Sequence, residues 1–213
     1  MSDSQDPVFE GLYGPFTITD ADRREVLSYR LALLTAALAQ LALLAQWQWQ
    51  DGRWLWLWLL PMAAGLGLAL HWIHIYLRPL HRALQLFWLA GCAGFLTLAL
   101  SAGADRMGAV LLTDSRWIWA VGPFFAALAG IGFKEFFCFR RAEAIGVTLL
   151  LPLALLGRLS GLLSIEVCGW LMTAEATLLL VLCLRKFPMP AAADVGDKSV
   201  FAALERARQE ATA

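Results

Sequence analysis

The stretch WIWAVGPFFAALAGIGFKEFFCFRRAEA, residues 117–144, decides the fold because it joins a long apolar run to a basic end. Its first 17 residues carry no charge, and the stretch then reaches a basic pair, Arg140 and Arg141. A helix needs roughly 20 mainly apolar residues to cross the hydrocarbon core of a bilayer. The stretch therefore predicts a membrane-spanning helix that ends at a positively charged membrane face.

Composition extends this prediction to the whole chain. Of the 213 residues, 60% are hydrophobic and only 16% are charged, whereas soluble domains are about a quarter charged. The segments long and apolar enough to span are residues 29–49, 54–77, 83–102, 117–139, 145–163 and 167–185. We expect an all-α, polytopic membrane helix bundle of about six transmembrane helices.

Three regions follow from this division. The predicted regions are a polar N-terminal segment with a helix start at Thr19 (residues 1–28), a six-helix transmembrane domain (29–186) and a C-terminal tail with a short amphipathic helix (187–213). Residues 191–197 resemble a linker, and the first helix is expected to run directly into the first span. Lysines and arginines concentrate on the side of both termini, which predicts that this side is cytoplasmic, or stromal in a thylakoid. The formal net charge of zero gives no basic field for nucleic acid.

Histidines occur only at the end of the second predicted span, in HWIHIYLRPLHR. If this segment is helical, His71, His74 and Arg78 lie on one face. Neutral imidazole binds metal ions, including the magnesium of a chlorin. His71 and His74 are therefore candidate ligands for a metal or chlorin, and the alternative is that they hydrogen-bond backbone or water near the headgroups.

Charged residues inside the spans are the other candidates. Near the end of the fourth span, Glu135 shares a helix face with Cys138, and we expect it to pair with Arg78, Arg82 or a histidine. Lys134 is expected to extend to the interface. In the middle of the sixth span, Glu175 has Arg158 as a possible partner, and both are candidate intramembrane charges. An intramembrane charge indicates either a functional site or a polar link between helices.

Two segments resemble a known family. GPFTIT before the first span and FKEFFCF at the end of the fourth are similar to signatures of integral membrane proteins of unknown function from cyanobacteria and plastids. The matching positions are Gly14, Phe16, Thr17, Ile18 and Thr19, then Phe133, Lys134, Glu135, Phe137, Cys138 and Phe139. The resemblance implies a thylakoid or plasma membrane of a photosynthetic host, and it implies no activity.

Three functions are compatible with these features. The first is a non-catalytic accessory, assembly or cofactor-handling protein among photosynthetic membrane proteins. The second is a small ion or solute transporter that uses the intramembrane charges. The third is a membrane metal or redox enzyme that uses His71 and His74, with Glu135 and Cys138. The chain contains no phosphate-binding loop, HExxH motif, nucleophile elbow or dinucleotide fingerprint.

Overall fold

The computed structural model describes residues 7–49 and 52–212. Its six long helices are α1 (Asp20–Trp49), α2 (Leu55–Trp72), α3 (Arg78–Ala102), α5 (Ile118–Phe139), α6 (Ala142–Leu159) and α7 (Ile165–Lys186). The shorter elements are β1 (Val8–Gly11), β2 (Gly14–Thr17), α4 (Met107–Thr113), α8 (Ala191–Val195) and α9 (Ser199–Thr212). Within these described ranges, six helices are long and apolar enough to cross a membrane. The predicted fold class is thereby confirmed.

The bundle has two ends, to which we give fixed names. The terminal face is the end at which α1 begins (Asp20) and α7 ends (Lys186), and the distal face is the end at which α1 ends and α2 begins (Leu55). The α1 helix packs against α2 and α7, while α5 packs against α3 and α6.

Small side chains set the closest helix contacts. A Cβ added at Gly65 of α2 would lie 2.7 Å from the Ala32 carbonyl oxygen and 2.8 Å from the Ala36 backbone nitrogen. Leu33 of α1 and Leu66 of α2 are fully buried in the same contact. Since lipid is as apolar as leucine, close packing of this kind replaces the hydrophobic effect as the main force between helices.

The second span ends earlier than the sequence predicts. The α2 helix stops at Trp72, and Ile73 is extended, with φ −68° and ψ 132°. A helix continuing through Pro79 would place the proline ring against the carbonyl of residue 75. Pro79 instead lies in the first turn of α3, where its missing N–H costs nothing. The predicted span 54–77 is therefore wrong at its end, and α3 begins five residues before the predicted 83.

A two-stranded hairpin, which the sequence analysis missed, lies at the terminal face. Strand β1 pairs antiparallel with β2, with Phe9 opposite Phe16. The Leu12 N–H donates to Asp197 Oδ2 at 2.7 Å, and the Tyr13 N–H donates to Ser199 Oγ at 3.0 Å. These bonds join the hairpin to the start of α9. Residues 1–6 of the predicted N-terminal segment lie outside the described residues.

Residues 191–197, predicted to be a linker, contain a short buried helix. Residues 191–195 form α8, and Val195 is fully buried. The Tyr76 hydroxyl donates to the Val195 carbonyl at 2.8 Å, and the Tyr76 ring stacks on Phe201 of α9 at 4.7 Å. Burial raises the pKa of Tyr76 to about 12. The connection between α2 and α3 thus holds the segment that was predicted to be a linker.

Candidate functional site

The terminal face contains a network of buried charges around Glu135, which is 0% exposed. The Tyr29 hydroxyl donates to Glu135 Oε1 at 2.7 Å, and Lys186 Nζ donates to Oε2 at 2.6 Å. Lys134 Nζ lies 3.2 Å from Oε1. Both carboxylate oxygens therefore have donors, and the donors come from α1, α5 and α7.

The network continues from Lys186 to Asp194 of α8. Lys186 Nζ also pairs with Asp194 Oδ1, and Arg30 binds Asp194 Oδ2 through Nε at 2.8 Å and Nη2 at 2.6 Å. Arg30 Nη1 donates to the Met189 carbonyl at 2.9 Å. We call Tyr29, Arg30, Lys134, Glu135, Lys186 and Asp194 the terminal network. It links α8 to the first, fourth and sixth spans.

The aromatic residues around the terminal network stabilise its ammonium groups. Lys186 Nζ lies 4.5 Å from the centre of the Phe139 ring and 5.3 Å from that of Tyr29. Lys134 Nζ lies 5.6 Å from each of the same two rings. Cation–π contacts of this kind are strongest where water is excluded.

The predicted partners of Glu135 are wrong. Neither Arg78 nor Arg82 nor a histidine contacts it in the described part of the chain, and its partners are Tyr29, Lys134 and Lys186. Lys134 does not extend to the interface as predicted, because it is only 6% exposed and turns to Glu135. Cys138 is exposed and does not share the burial of Glu135.

The histidines do not form the predicted common face, since α2 ends between His71 and His74. His71 is exposed and lies edge-on to Trp72. His74 Nε2 lies 3.5 Å from Glu25 Oε2, and burial lowers the pKa of His74 despite the nearby carboxylate. The structure therefore does not bring His71, His74, Glu135 and Cys138 together.

One group of possible metal ligands lies at the terminal face. In the region that the structure describes, single ligand atoms of Asp22, Glu25 and His74 lie within 4.8 Å of one another. Lys198 Nζ, however, lies 2.8 Å from Asp22 Oδ2 and 3.0 Å from its Oδ1. Asp22 Oδ2 also accepts from the Thr19 N–H, as a helix-capping contact. The cation at Asp22 is thus supplied by the chain itself.

Glu175 forms a separate polar pair near the middle of the bundle. It is 0% exposed and accepts one hydrogen bond, from Gln40 Nε2 of α1 at 2.5 Å. The Oε1 atoms of both side chains are buried without a partner. Arg158, the possible partner of Glu175 in the sequence, does not pair with it. Its Nη2 instead donates to the Leu112 carbonyl at 2.8 Å. Gln40 was not singled out in the sequence.

An apolar cavity lies toward the distal face. Its volume is about 160 Å³, and its lining comes from all six spans and from α4. The lining includes Trp47, Phe95, Leu111, Phe125, Met172 and Arg158. We call it the distal cavity. Met172 is one helical turn from Glu175, so the polar pair lies just beyond the cavity on the terminal side.

A bundle of six membrane-spanning helices with ion pairs between them defines a polytopic helical membrane protein. Residues 68–203, more than half of the chain, match the family described as "Uncharacterized integral membrane protein (DUF2301)". The chain belongs to this family, whose description assigns a membrane location and no activity. No curated protein and no solved structure matches the chain.

Proposed function

We propose that the chain is a non-catalytic accessory protein of a photosynthetic membrane that holds a lipophilic molecule in the distal cavity. The observation that carries this proposal is the cavity itself, which is partly open to its surroundings. Every span contributes to its lining. Cavities lined mainly by apolar side chains with few polar groups are typical ligand sites.

The arrangement of the buried polar groups supports binding rather than passage. Glu175 and Lys186 are both on α7, separated by about 16 Å of helical rise. Leu179, Leu182 and Cys183, each at most 1% exposed, lie between them. Apolar side chains of α7 therefore separate the mid-membrane carboxyl from the terminal network.

The compartment is part of the same proposal. Its support is the resemblance of GPFTIT and FKEFFCF to segments of cyanobacterial and plastid proteins. The excess of lysine and arginine at the terminal face favours a cytoplasmic or stromal location for both termini. Fractionation of thylakoid and plasma membranes from a photosynthetic host, with a tag at the C-terminus and protease added from one side, tests both assignments.

The test of ligand binding is direct. We expect protein purified in a mild detergent to carry a lipophilic molecule in near-stoichiometric amount, detectable by native mass spectrometry and by extraction. A visible spectrum shows whether that molecule is a chlorin or another pigment. In a Leu111→Trp variant, the indole fills the cavity, and we expect the molecule to be lost. Recovery of wild-type protein without any bound molecule would refute the proposal.

A second candidate function, ion or proton transport, rests on Glu175. Its unpartnered Oε1 and that of Gln40 are the only buried side-chain oxygens without a donor in the described residues. Proton flux into proteoliposomes, compared between the wild type and Glu175→Gln, tests this function. Glu166→Gln is the matched control because Glu166 is exposed on the same helix. Equal flux in all three proteins would eliminate transport through Glu175.

A further inference from the structure

The charge of Arg158 interacts with the exposed Glu166 only beyond ion-pair distance. Arg158 is half-buried at the end of α6, and its Nε is buried without a hydrogen-bond partner. Its one hydrogen bond to the chain, from Nη2 to the Leu112 carbonyl, involves a neutral acceptor. Among the described residues, no carboxylate lies within ion-pair distance of this guanidinium.

Arg116 is held differently from Arg158. Arg116, also at the distal face, forms a bidentate pair with Asp114 through Nε and Nη2, both at 2.9 Å. A guanidinium in apolar surroundings is stabilised mainly by a paired anion. Arg158 therefore has donors for an anion that no described residue supplies at hydrogen-bond distance.

The position of Arg158 relates this charge to the distal cavity. Arg158 lines the cavity, and nearly all of the remaining lining is apolar. A cavity of about 150 Å³ holds one benzene in a well-studied engineered protein, so about 160 Å³ accommodates a segment of roughly six carbons. One such segment fills this volume, and the rest of a single chain extends through the open side of the cavity.

Resting on the proposed function, we infer that the ligand of the distal cavity is a single-chain carboxylic acid, bound as its anion. The carboxylate accepts from the Nε–H and a neighbouring Nη–H of Arg158, which form the paired donors that suit a planar carboxylate. The first carbons of the chain fill the cavity, against Leu111 of α4 and Met172 of α7. Leu112, next to Leu111, orients the guanidinium through its carbonyl.

Photolabelling tests this assignment with the full-length protein in neutral-lipid nanodiscs. The probes are a diazirine derivative of octanoic acid and the matching derivative of octanol, and labelled peptides are mapped by mass spectrometry. We expect the acid to label α4 and α7 at least tenfold more than the alcohol, since a bond to a charged partner contributes about that factor. Arg158→Gln should reduce labelling by the acid about tenfold.

Two further variants make the result interpretable. Arg116→Gln removes a positive charge from the same membrane face without touching the cavity, and it should label like the wild type. Arg158→Lys keeps the charge but not the paired donors, so labelling should fall only a few-fold. Thermal unfolding of each variant in the same nanodiscs verifies that the bundle is intact.

The possible failures are distinguishable. If acid and alcohol label the cavity equally and Arg158→Gln changes neither, the carboxylate assignment is wrong while the lipophilic site stands. If neither probe labels the cavity in the wild type, the proposed function fails with it. Displacement of the acid probe by phosphatidylglycerol, but not by unlabelled octanoate, would instead assign the site to a two-chain lipid and overturn the single-chain assignment.

Discussion

The terminal network and the distal cavity lie at opposite ends of one bundle. They differ in whether the chain itself supplies hydrogen-bond partners for their charged groups. At the terminal face, Glu135 and Asp194 receive donors on both of their carboxylate oxygens, and all of these donors belong to the chain. In the distal cavity, Arg158 keeps a buried donor without an acceptor. A polar group that the fold itself satisfies stabilises structure, whereas one that it leaves unsatisfied indicates a place for something else.

Among the variants that test this comparison, Glu135→Ala is expected to cause the largest loss of stability. The substitution leaves Lys134 and Lys186 buried without their shared carboxylate, and breaking a buried ion pair in this way costs about 3–5 kcal/mol. Reversible unfolding in mixed micelles measures the loss. Glu166→Ala, at an exposed carboxylate, should change stability by less than about 0.5 kcal/mol. A loss below about 1 kcal/mol for Glu135→Ala would mean that the network is not a structural element.

We expect Asp194→Ala to cause a smaller loss of stability than Glu135→Ala. Lys186 keeps Glu135, and Arg30 keeps its bond to the Met189 carbonyl, so only part of the network is left unsatisfied. We expect about 1–3 kcal/mol, together with faster proteolysis in residues 187–212. Unchanged proteolysis would show that Asp194 does not hold the C-terminal segment.

Gln40 and Glu175 form a polar pair between the two regions. Substitutions in this pair test whether its hydrogen bond stabilises the bundle. Gln40→Leu removes the one donor to Glu175 and should destabilise the bundle by about 1–3 kcal/mol. Replacing both residues by leucine should return stability to within about 1 kcal/mol of the wild type, because no buried polar atom is then left alone. The same unfolding assay, used as a double-mutant cycle, gives the coupling. Additive losses would contradict a direct interaction.

The smallest expected effect is a weakening, at low pH, of the contact between the hairpin and the start of α9. Bonds from the Ser199 hydroxyl, and from the Leu12 N–H, lower the pKa of Asp197. Because the ionised form is favoured in the folded state, the contact contributes above the unfolded pKa of about 3.9 and is lost as pH falls through the lower folded value. Hydrogen exchange at Leu12 and Tyr13, corrected for intrinsic rates, should rise below pH 4. In Asp197→Asn this additional rise should disappear.

The sequence predicted the spans well, because each is a local property of about 20 consecutive residues. The partners of Glu135 were not predictable in the same way, since Tyr29 and Lys186 are 106 and 51 residues away. One signal was present: Lys186 lies inside the last turn of an apolar helix and eight residues before Asp194. Counting lysines and arginines to assign the membrane orientation uses the charge of Lys186 but does not indicate its partners.

Other errors have local physical causes. Pro79 ends the second span early, although the apolar run continues to Leu77. The hairpin was missed because its strands are only four residues long, and the successive residues Val8 and Phe9 are both exposed, so β1 shows little alternation. A cavity results from how seven helices fit together, and no single stretch of sequence records it. Glu175 was correctly placed deep in the bundle, but its partner Gln40 is an uncharged residue of another span.

The adjacency of Lys134 and Glu135 has a consequence for biosynthesis. During synthesis, the fourth span enters the bilayer before the sixth exists, so Lys186 is not yet present. At that stage the carboxylate already has an ammonium group at the preceding position of its own helix, which reduces the cost of inserting the charge. Arrival of the sixth span then completes the network with Lys186, and α8 follows with Asp194. A chain stopped before residue 186 would retain the Lys134–Glu135 pair and lack the contacts that Lys186 makes with Glu135 and Asp194.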